Sequence, residues 1–282
     1  MSSPDLVSIV LILRAAPEAD PLLEAPPWWG RASHALALAA IGRDDPALAA
    51  VLHEGDGPRP FTASSLMGRF PGRRVDPAEA YTLRLTAIQA APAAALLRAT
   101  TSGGALAPGG PVDLDHHLFR VETAHLAAEA HPWAGTTGYA ELAAARLVGP
   151  EPPPRQISFI FTSPTAFRSQ ERHIPVPLPD LTFGSLLDRW NAFSSIAFPA
   201  ETKRYAAECL AISRYELATR PVQGKEGGLR VGAVGRITFT ALNYDRYWMS
   251  VLGALAGFAL YAGAGIQTTA GLGQCRQMVD DW

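Results

Sequence analysis

The 282-residue sequence has few cysteines and little net charge. Its two cysteines, Cys209 and Cys275, are too few for a disulfide scaffold or for a zinc site built from cysteines. The formal net charge is -2, so bulk positive charge does not draw this chain to nucleic acid. A local arginine-lined groove is still compatible with the composition, because phosphate binding depends on where the guanidinium groups lie.

The sequence also lacks a signal peptide and a convincing membrane span. No basic stretch precedes the apolar residues 6–13, so they predict a first strand and not a secretory signal. An uncharged run over residues 248–270 is rich in alanine and glycine, which favours a buried helix of a water-soluble domain over a transmembrane helix. We therefore expect a cytoplasmic protein that has no membrane segment.

The first half of the chain has the element order β-α-β-β-α-β, which is that of a ferredoxin-like domain. Asp45 as N-cap and Pro46 at the first helical position mark the start of its second helix. The predicted elements are a strand over 6–13, helices over 31–41 and 46–52, strands over 60–67 and 80–90, a helix over 92–97 and a strand over 118–124.

A proline-rich linker over residues 149–154 separates this half from a second one with the same element order. The predicted elements there are a strand over 157–167, a helix over 183–193, strands over 210–217 and 231–242, a helix over 247–261 and a strand over 273–279. We predict an α+β protein of two tandem ferredoxin-like (RRM-like) βαββαβ domains, over residues 1–148 and 149–282. The second and fourth strands of this topology lie at opposite sheet edges, so Cys209 and Cys275 should be far apart and reduced.

Three stretches, taken in order, resemble a known family. Residues 46–66 place His53 at a helix end, followed by a Gly/Pro loop, a basic residue and an F-T-x-S strand. Residues 161–168 read FTSPTAFR and precede a helix that contains LLDRWN. Residues 263–274 form a glycine-rich loop between a helix and a strand. The ordered set resembles the CRISPR-associated repeat-processing endoribonucleases, the Cas six family of the RAMP superfamily.

The resemblance implies RNA cleavage by general acid-base catalysis without a metal. RNA supplies its own nucleophile, the 2′-hydroxyl, and an imidazole with a pKa near 6.5 can exchange a proton with it near neutral pH. His53 is the first choice for this role, although an exposed histidine stabilised by the helix dipole is the plainer interpretation of the residue alone. Arg59 would hold the scissile phosphate, or it is a surface arginine. Where some members carry a tyrosine base, Leu38 stands here, which leaves His34 as a candidate base.

The same resemblance assigns RNA contacts to residues spread over both halves: Ser64, Arg168, Gly265, Gly271, Gly273 and Gln274. Ser64 or Ser65 would position the ribose, although serine is unremarkable in a strand. Glycine lets a backbone approach a sugar-phosphate chain closely, whereas a helix C-cap and turn explain part of the loop without RNA. The helix-loop-strand order is the reverse of dinucleotide and P-loop sites. The remaining histidines lack the spacing of metal ligands, and we predict no metal site and no cofactor.

The expected function is the cleavage of CRISPR repeat transcripts (pre-crRNA) into guide RNAs, which leaves 2′,3′-cyclic phosphate and 5′-hydroxyl ends. The alternative is a catalytically inactive RAMP-type subunit that binds guide RNA within an effector complex. Repeat RNA, as pre-crRNA and mature crRNA, is the expected partner. The resemblance also leaves open an association with effector-complex subunits and the formation of a homodimer.

Overall fold

The computed structural model describes residues 4–54, 57–223 and 228–278 of the chain. Two compact units are present. The first comprises Met1–Thr136 together with Thr269–Gly271, and the second comprises Thr137–Thr268 together with Leu272–Trp282. A three-residue segment near the end of the chain therefore belongs to the N-terminal unit.

The first unit is a ferredoxin-like sheet with helices on one face. Its elements are β1 (Leu6–Ala15), α1 (Gly30–Asp44), α2 (Pro46–Glu54), β2 (Phe61–Ala63), β3 (Tyr81–Ala87), α3 (Ala90–Ala99), β4 (Pro111–Leu114), β5 (His117–His125) and β6 (Gly135–Thr137). The strand order is β2-β3-β1-β5-β4, and β6 pairs with β1. Strand β1 runs antiparallel to both β3 and β5. If β4 and β6 are set aside, β5 is the fourth strand, and the order becomes the 2-3-1-4 order of a ferredoxin-like domain.

The β-branched and apolar residues of β1 create the core of this unit. Alternate side chains of Val7, Ile9 and Leu11 point to one face, where they are fully buried among apolar residues of α1, α3 and the neighbouring strands. The capping prediction at α2 is confirmed, because the backbone N–H of Leu48 donates to Asp45 Oδ1 at 2.9 Å.

The second unit repeats the topology. Its elements are α4 (Tyr139–Leu147), β7 (Gln156–Thr165), β8 (Phe167–Ser169), β9 (Arg172–Ile174), α5 (Pro179–Phe193), α6 (Glu201–Cys209), β10 (Leu210–Gln223), β11 (Leu229–Ala241), α7 (Arg246–Ala262) and β12 (Cys275–Met278). The order of the main sheet is β10-β11-β7-β12. Ring contacts among Phe159, Phe183 and Phe239, one edge-to-face and two tilted, fill the space between this sheet and its helices.

The prediction of two tandem ferredoxin-like domains is confirmed. Cys209 and Cys275 lie next to opposite edges of the second sheet and are both free thiols. Helix α7 is buried along most of its length, as expected for a core helix. In the described part of the chain, no helix combines the length and the apolar character that a bilayer crossing requires.

Several boundaries differ from the sequence-based expectation. The predicted strand over 60–67 pairs continuously only from Phe61 to Ala63, because the chain then turns into isolated bridges at Ser64 and Met67. Helix α3 begins at Ala90, two residues before Pro92, and β12 begins at Cys275. Residue 279, the predicted end of that strand, lies outside the described residues.

The division between the units also falls earlier than the predicted boundary at 148/149. The compact units separate between residues 136 and 137, because α4 packs against α7 and joins the second unit. Its Tyr139 ring contacts Trp190 at 4.9 Å and Phe258 at 5.5 Å between ring centroids. The proline-rich residues 149–154 therefore lie inside the second unit, between α4 and β7.

Candidate active site

His34 has the most constrained polar environment of the predicted catalytic residues. It lies in the second turn of α1 and is partly buried, and its ring centroid is 5.3 Å from that of Phe61. Its Nδ1 atom is 3.2 Å from the carbonyl oxygen of Thr269. A carbonyl can only accept, so Nδ1 carries the proton and the lone pair of neutral His34 is on Nε2.

The acceptor of His34 belongs to the Thr269–Gly271 segment of the N-terminal unit. A 3-10 turn over Thr268–Ala270 presents the Thr269 carbonyl. The indole Nε1–H of Trp28 donates to the next carbonyl, that of Ala270, at 2.8 Å. Gly271 then forms a parallel bridge with Ser64. This segment is thus held by the side chains of Trp28 and His34 and by the backbone of Ser64, which directly follows β2.

The surroundings of His34 lower its pKa below the ordinary value. Burial is the largest cause, since it disfavours the imidazolium form. The Thr269 carbonyl opposes this effect by stabilising the protonated ring, and the positive charges of His53 and Arg59 lower the pKa further. His34 is therefore neutral near pH 7 and holds an unprotonated Nε2. The other two residues predicted to be catalytic thus act electrostatically on His34.

His53 and Arg59 are more exposed than His34. His53 lies in the last turn of α2 with an exposed side chain, and the guanidinium Nη2 of Arg59 donates to its carbonyl oxygen at 3.1 Å. This bond closes the loop between α2 and β2, of which residues 55 and 56 lie outside the described residues. The Arg59 guanidinium therefore lies beside the end of α2.

The Ser64 hydroxyl is not placed as the sequence suggested. Ser64 is 1% exposed, and its Oγ accepts the backbone N–H of Arg84 at 2.8 Å. The Ser64 hydroxyl is thus buried and bonded to the backbone of β3, so it is not exposed for the predicted role of positioning the ribose. The neighbouring Ser65 Oγ accepts the backbone N–H of Trp29 at 3.1 Å and is also structural.

The glycine-rich loop is shaped by its own packing. Gly265, Gly271 and Gly273 have φ values of 81°, 94° and 69°, and a Cβ at each would come within 3 Å of backbone or ring atoms. Gln274 is 3% exposed, and its backbone N–H donates to Ser163 Oγ at 2.9 Å. These contacts explain the glycines and the buried glutamine without RNA, and an RNA contact at this loop stays a prediction.

Arg189, within the LLDRWN helix, holds the second unit's part of this loop. Its guanidinium donates to the carbonyl oxygens of Ala262 at 3.0 Å and Gly265 at 3.3 Å, which are acceptors left over at the end of α7. Burial lowers the pKa of Arg189 to about 10. The LLDRWN motif was the only local indication that Arg189 has a special role, because its two acceptors lie more than 70 residues away in the chain.

Arg168 is exposed on a short hairpin of the second unit. It pairs with His173 across β8 and β9, and the two turn residues Gln170 and Glu171 both have positive φ. Arg172 is exposed on the same hairpin. Within the described residues the Arg168 guanidinium forms no ion pair, so it is sterically accessible for the predicted RNA contact.

A metal site is not assembled by the remaining histidines. Among residues 4–54, 57–223 and 228–278, no group of three or more His, Cys, Asp or Glu side chains could hold a metal ion. His117 is buried in an aromatic cluster beside Trp29, and His125 stacks on His131 at 5.9 Å between centroids.

The sequence-based expectation missed Trp28, whose role depends on a contact 242 residues away in the chain.

Comparisons with known proteins place this architecture. The family model described as CRISPR-associated endoribonuclease Cas6 matches residues 159–275. The CRISPR-associated endoribonuclease Cas6 of Mycobacterium tuberculosis is 29% identical over 135 residues, which are 47% of this chain and 42% of that relative. The match thus spans less than half of the length of this curated relative.

Solved structures match over nearly the whole chain. The product complex of Cas6 (TTHB231), a Thermus thermophilus protein, has 26% identity and a TM-score of 0.79, and the match covers 98% of this chain and 100% of that one. The chain is therefore similar to Cas6 proteins over nearly its whole length in structure and over part of its length in sequence. The product complex of Cas6 (TTHA0078) has 27% identity and a TM-score of 0.75 with 97% and 99% coverage. A RAMP protein at 12% identity, with a TM-score of 0.60, shares the fold of this chain.

Proposed function

We propose that this chain is a member of the Cas6 family, an endoribonuclease that cleaves CRISPR repeat transcripts without a metal and acts in the cytoplasm. The single observation that supports the chemistry is the His34 ring, whose Nδ1–H is held by the Thr269 carbonyl and whose Nε2 is left as the basic atom. Family membership supports the substrate class, since the matching family model and the curated relative both carry the description CRISPR-associated endoribonuclease.

His34 replaces His53 as our first choice for the general base. A base must be unprotonated at the working pH and must have its lone pair aimed by a fixed hydrogen bond at the opposite ring nitrogen. His34 meets both conditions, because burial lowers its pKa and Thr269 fixes its tautomer. The side chain of His53 is exposed at a helix end, and no contact described for it fixes its ring.

The reaction then balances as an internal transesterification. Nε2 of His34 takes the proton of the 2′-hydroxyl, and the resulting oxygen attacks the adjacent phosphorus. The P–O5′ bond breaks, and the departing oxygen takes a proton from an imidazolium. His53 is our candidate for this imidazolium, because its charge acts on His34. The products are a 2′,3′-cyclic phosphate and a 5′-hydroxyl. The Arg59 guanidinium would stabilise the extra negative charge on the phosphoryl oxygens.

A non-cutting RAMP-type subunit that only binds guide RNA is the less favoured function. Such a subunit needs a basic surface but no histidine with a fixed tautomer and a lowered pKa. The curated relative and the solved structures compared above carry the Cas6 name. The expected partner is repeat RNA, as pre-crRNA and as mature crRNA. Effector-complex subunits as partners and a homodimer stay predictions that this site does not bear on.

The proposal is tested with repeat RNA, excess EDTA and single-residue variants. The wild-type chain should cut the RNA in EDTA, and a 2′-deoxy substitution at the cut site should abolish cleavage because it removes the nucleophile. His34→Ala should lower the cleavage rate by about 10²-fold or more and leave RNA affinity nearly unchanged, since a proton-transfer group acts in the transition state.

His116→Ala is the matched control, because His116 is an exposed histidine in a turn of the same unit. It should cleave at the wild-type rate. If cleavage requires magnesium, the metal-independent mechanism is wrong. If His34→Ala cuts normally while His53→Ala is inactive, the assignment of the base returns to His53. RNA that is bound by the wild-type chain and never cut would support the alternative function.

A further inference from the structure

The turn that fixes His34 is itself held by a residue to which no role has been assigned. Trp28 is partly buried just before α1, and its Nε1–H donates to the Ala270 carbonyl at 2.8 Å. Ala270 directly follows Thr269, whose carbonyl accepts from His34. Both carbonyls belong to the end of one 3-10 turn, so the position of one constrains the position of the other.

The packing around Trp28 leaves the turn little freedom. A Cβ on Gly30 would lie 1.8 Å from the Ala270 carbonyl oxygen and 2.5 Å from Trp28 Nε1. A Cβ on Gly271 would lie 2.8 Å from Cζ2 of the indole. Both positions are glycine in this chain, which allows the indole, the helix start and the turn to approach so closely.

The neighbouring tryptophan provides an internal contrast. Trp29 is 2% exposed, its ring packs against Phe70 and His117, and its Nε1 is buried without a hydrogen-bond partner among the described residues. Trp29 therefore contributes packing alone, whereas Trp28 contributes a directed hydrogen bond. Two adjacent residues of the same type thus differ in the property that matters for the turn.

We propose that Trp28 is a positioning residue, which holds the turn over Thr268–Ala270 so that the Thr269 carbonyl keeps the proton of His34 on Nδ1 and its Nε2 lone pair free. The catalytic part of this inference rests on the proposed function, whereas the structural part does not. Trp28 acts through the turn and through His34 and is not itself a proton-transfer group.

The test follows the His34 imidazole directly by NMR titration, with its signals assigned by their loss in His34→Ala. Trp28→Phe removes the N–H donor and keeps an aromatic ring, while Gly30→Ala pushes the same carbonyl away and keeps Trp28. The Thr269 hydrogen bond raises the pKa of His34, so both variants should lower that pKa further. Trp29→Phe, which removes an indole without a partner, should destabilise the fold and leave the titration of His34 unchanged.

Cleavage gives the second readout. Trp28→Phe should slow cleavage by about ten- to a hundredfold with little loss of RNA affinity, because a misplaced base costs rate. In a His34→Ala background the same substitution should have almost no further effect, since both changes remove one function.

The outcomes separate the two proposals. An unchanged His34 titration in folded Trp28→Phe and Gly30→Ala variants would overturn the positioning role, whatever the cleavage rate. A shifted titration in these variants, together with normal cleavage by His34→Ala, would retain the positioning role and reject His34 as the base. Equal effects of Trp28→Phe and Trp29→Phe on the titration would reduce Trp28 to general packing and would also overturn the inference.

Discussion

His34 Nδ1 lies 3.2 Å from the carbonyl oxygen of Thr269, a residue 235 positions later in the chain. The bond decides which ring nitrogen of a partly buried histidine carries the proton. It also connects the first helix of the N-terminal ferredoxin-like unit with a turn from the far end of the sequence. The proposed catalytic chemistry depends on this one contact more than on any local motif.

We expect the cleavage rate to fall at acidic pH with a midpoint below about 6.5, the ordinary pKa of histidine. Burial lowers the pKa of His34, so the free base persists to lower pH than in an exposed histidine and is lost only as pH drops through the lowered value. Arg59→Gln removes a positive charge that lowers this pKa, so it should move the acidic limb to higher pH. The pH profile of single-turnover cleavage measures both.

Arg43→Gln is the matched control for that shift, since Arg43 is an exposed arginine at the end of α1 and is not among the charges that act on His34. Its acidic limb should coincide with that of the wild type. An acidic limb that Arg59→Gln lowers or leaves in place would contradict the electrostatic coupling of Arg59 to His34.

Gly273→Ala should destabilise the fold more than Gly109→Ala does. Both glycines have positive φ, 69° and 82°, so both substitutions carry a backbone strain of about 1–3 kcal/mol. A Cβ on Gly273 would in addition lie 2.1 Å from the Ala264 carbonyl oxygen, whereas one on Gly109 meets nothing within 4 Å. Urea unfolding should show a free-energy loss at Gly273 that exceeds the loss at Gly109 by at least about 1 kcal/mol.

That comparison also decides the role of the glycine-rich loop. If Gly273→Ala is as stable as Gly109→Ala but binds RNA weakly, the loop approaches RNA as the sequence suggested. If Gly273→Ala is less stable than Gly109→Ala and RNA affinity of the folded variant is unchanged, the glycine serves the packing of the second unit.

Ser64→Ala should lower the free energy of unfolding by about 1–3 kcal/mol, because it removes a buried acceptor of the Arg84 backbone N–H. The cleavage rate of the folded variant should equal that of the wild type. Ser102→Ala, at an exposed serine, should change stability by less than about 0.5 kcal/mol. A stable Ser64→Ala variant with slow cleavage would restore the ribose-positioning role.

Arg168→Ala should weaken RNA binding in a salt-dependent way, because its exposed guanidinium lies on the β8–β9 hairpin. Loss of one phosphate contact should reduce the slope of log K against log salt by roughly 0.7–0.9. Arg98→Ala is the control, since that exposed arginine already bonds Asp44. An unchanged slope in Arg168→Ala would remove this hairpin from the RNA interface.

The main strands and helices could be predicted because their signals are local. The β-branched residues of β1 and the Asp45-Pro46 cap are each patterns of residues that are adjacent in the sequence. The β8–β9 hairpin escaped prediction, because Gln170 and Glu171 adopt positive φ without the glycine or asparagine that usually marks such a turn. Helix α4, which is nine residues long, was also missed.

The candidate site was only partly predictable. His34, His53 and Arg59 could be named from the family-like stretch and from their chemistry, but their ranking could not. The fixed tautomer of His34 depends on Thr269, and the hold on that turn depends on Trp28, which is 242 residues from its acceptor. The burial of the Ser64 hydroxyl was not predictable for the same reason, since its partner Arg84 lies on another strand.

The long separation between His34 and Thr269 has a consequence for how the protein is made. A ribosome synthesises α1 early, and it adds Thr269 only after almost all of the second ferredoxin-like unit, up to the end of α7, has been translated. The nascent N-terminal sheet therefore emerges with a histidine whose proton is not yet assigned to one nitrogen. The hydrogen bond on which the proposed cleavage chemistry depends can therefore form only late in biosynthesis, after the Thr269 segment has been translated.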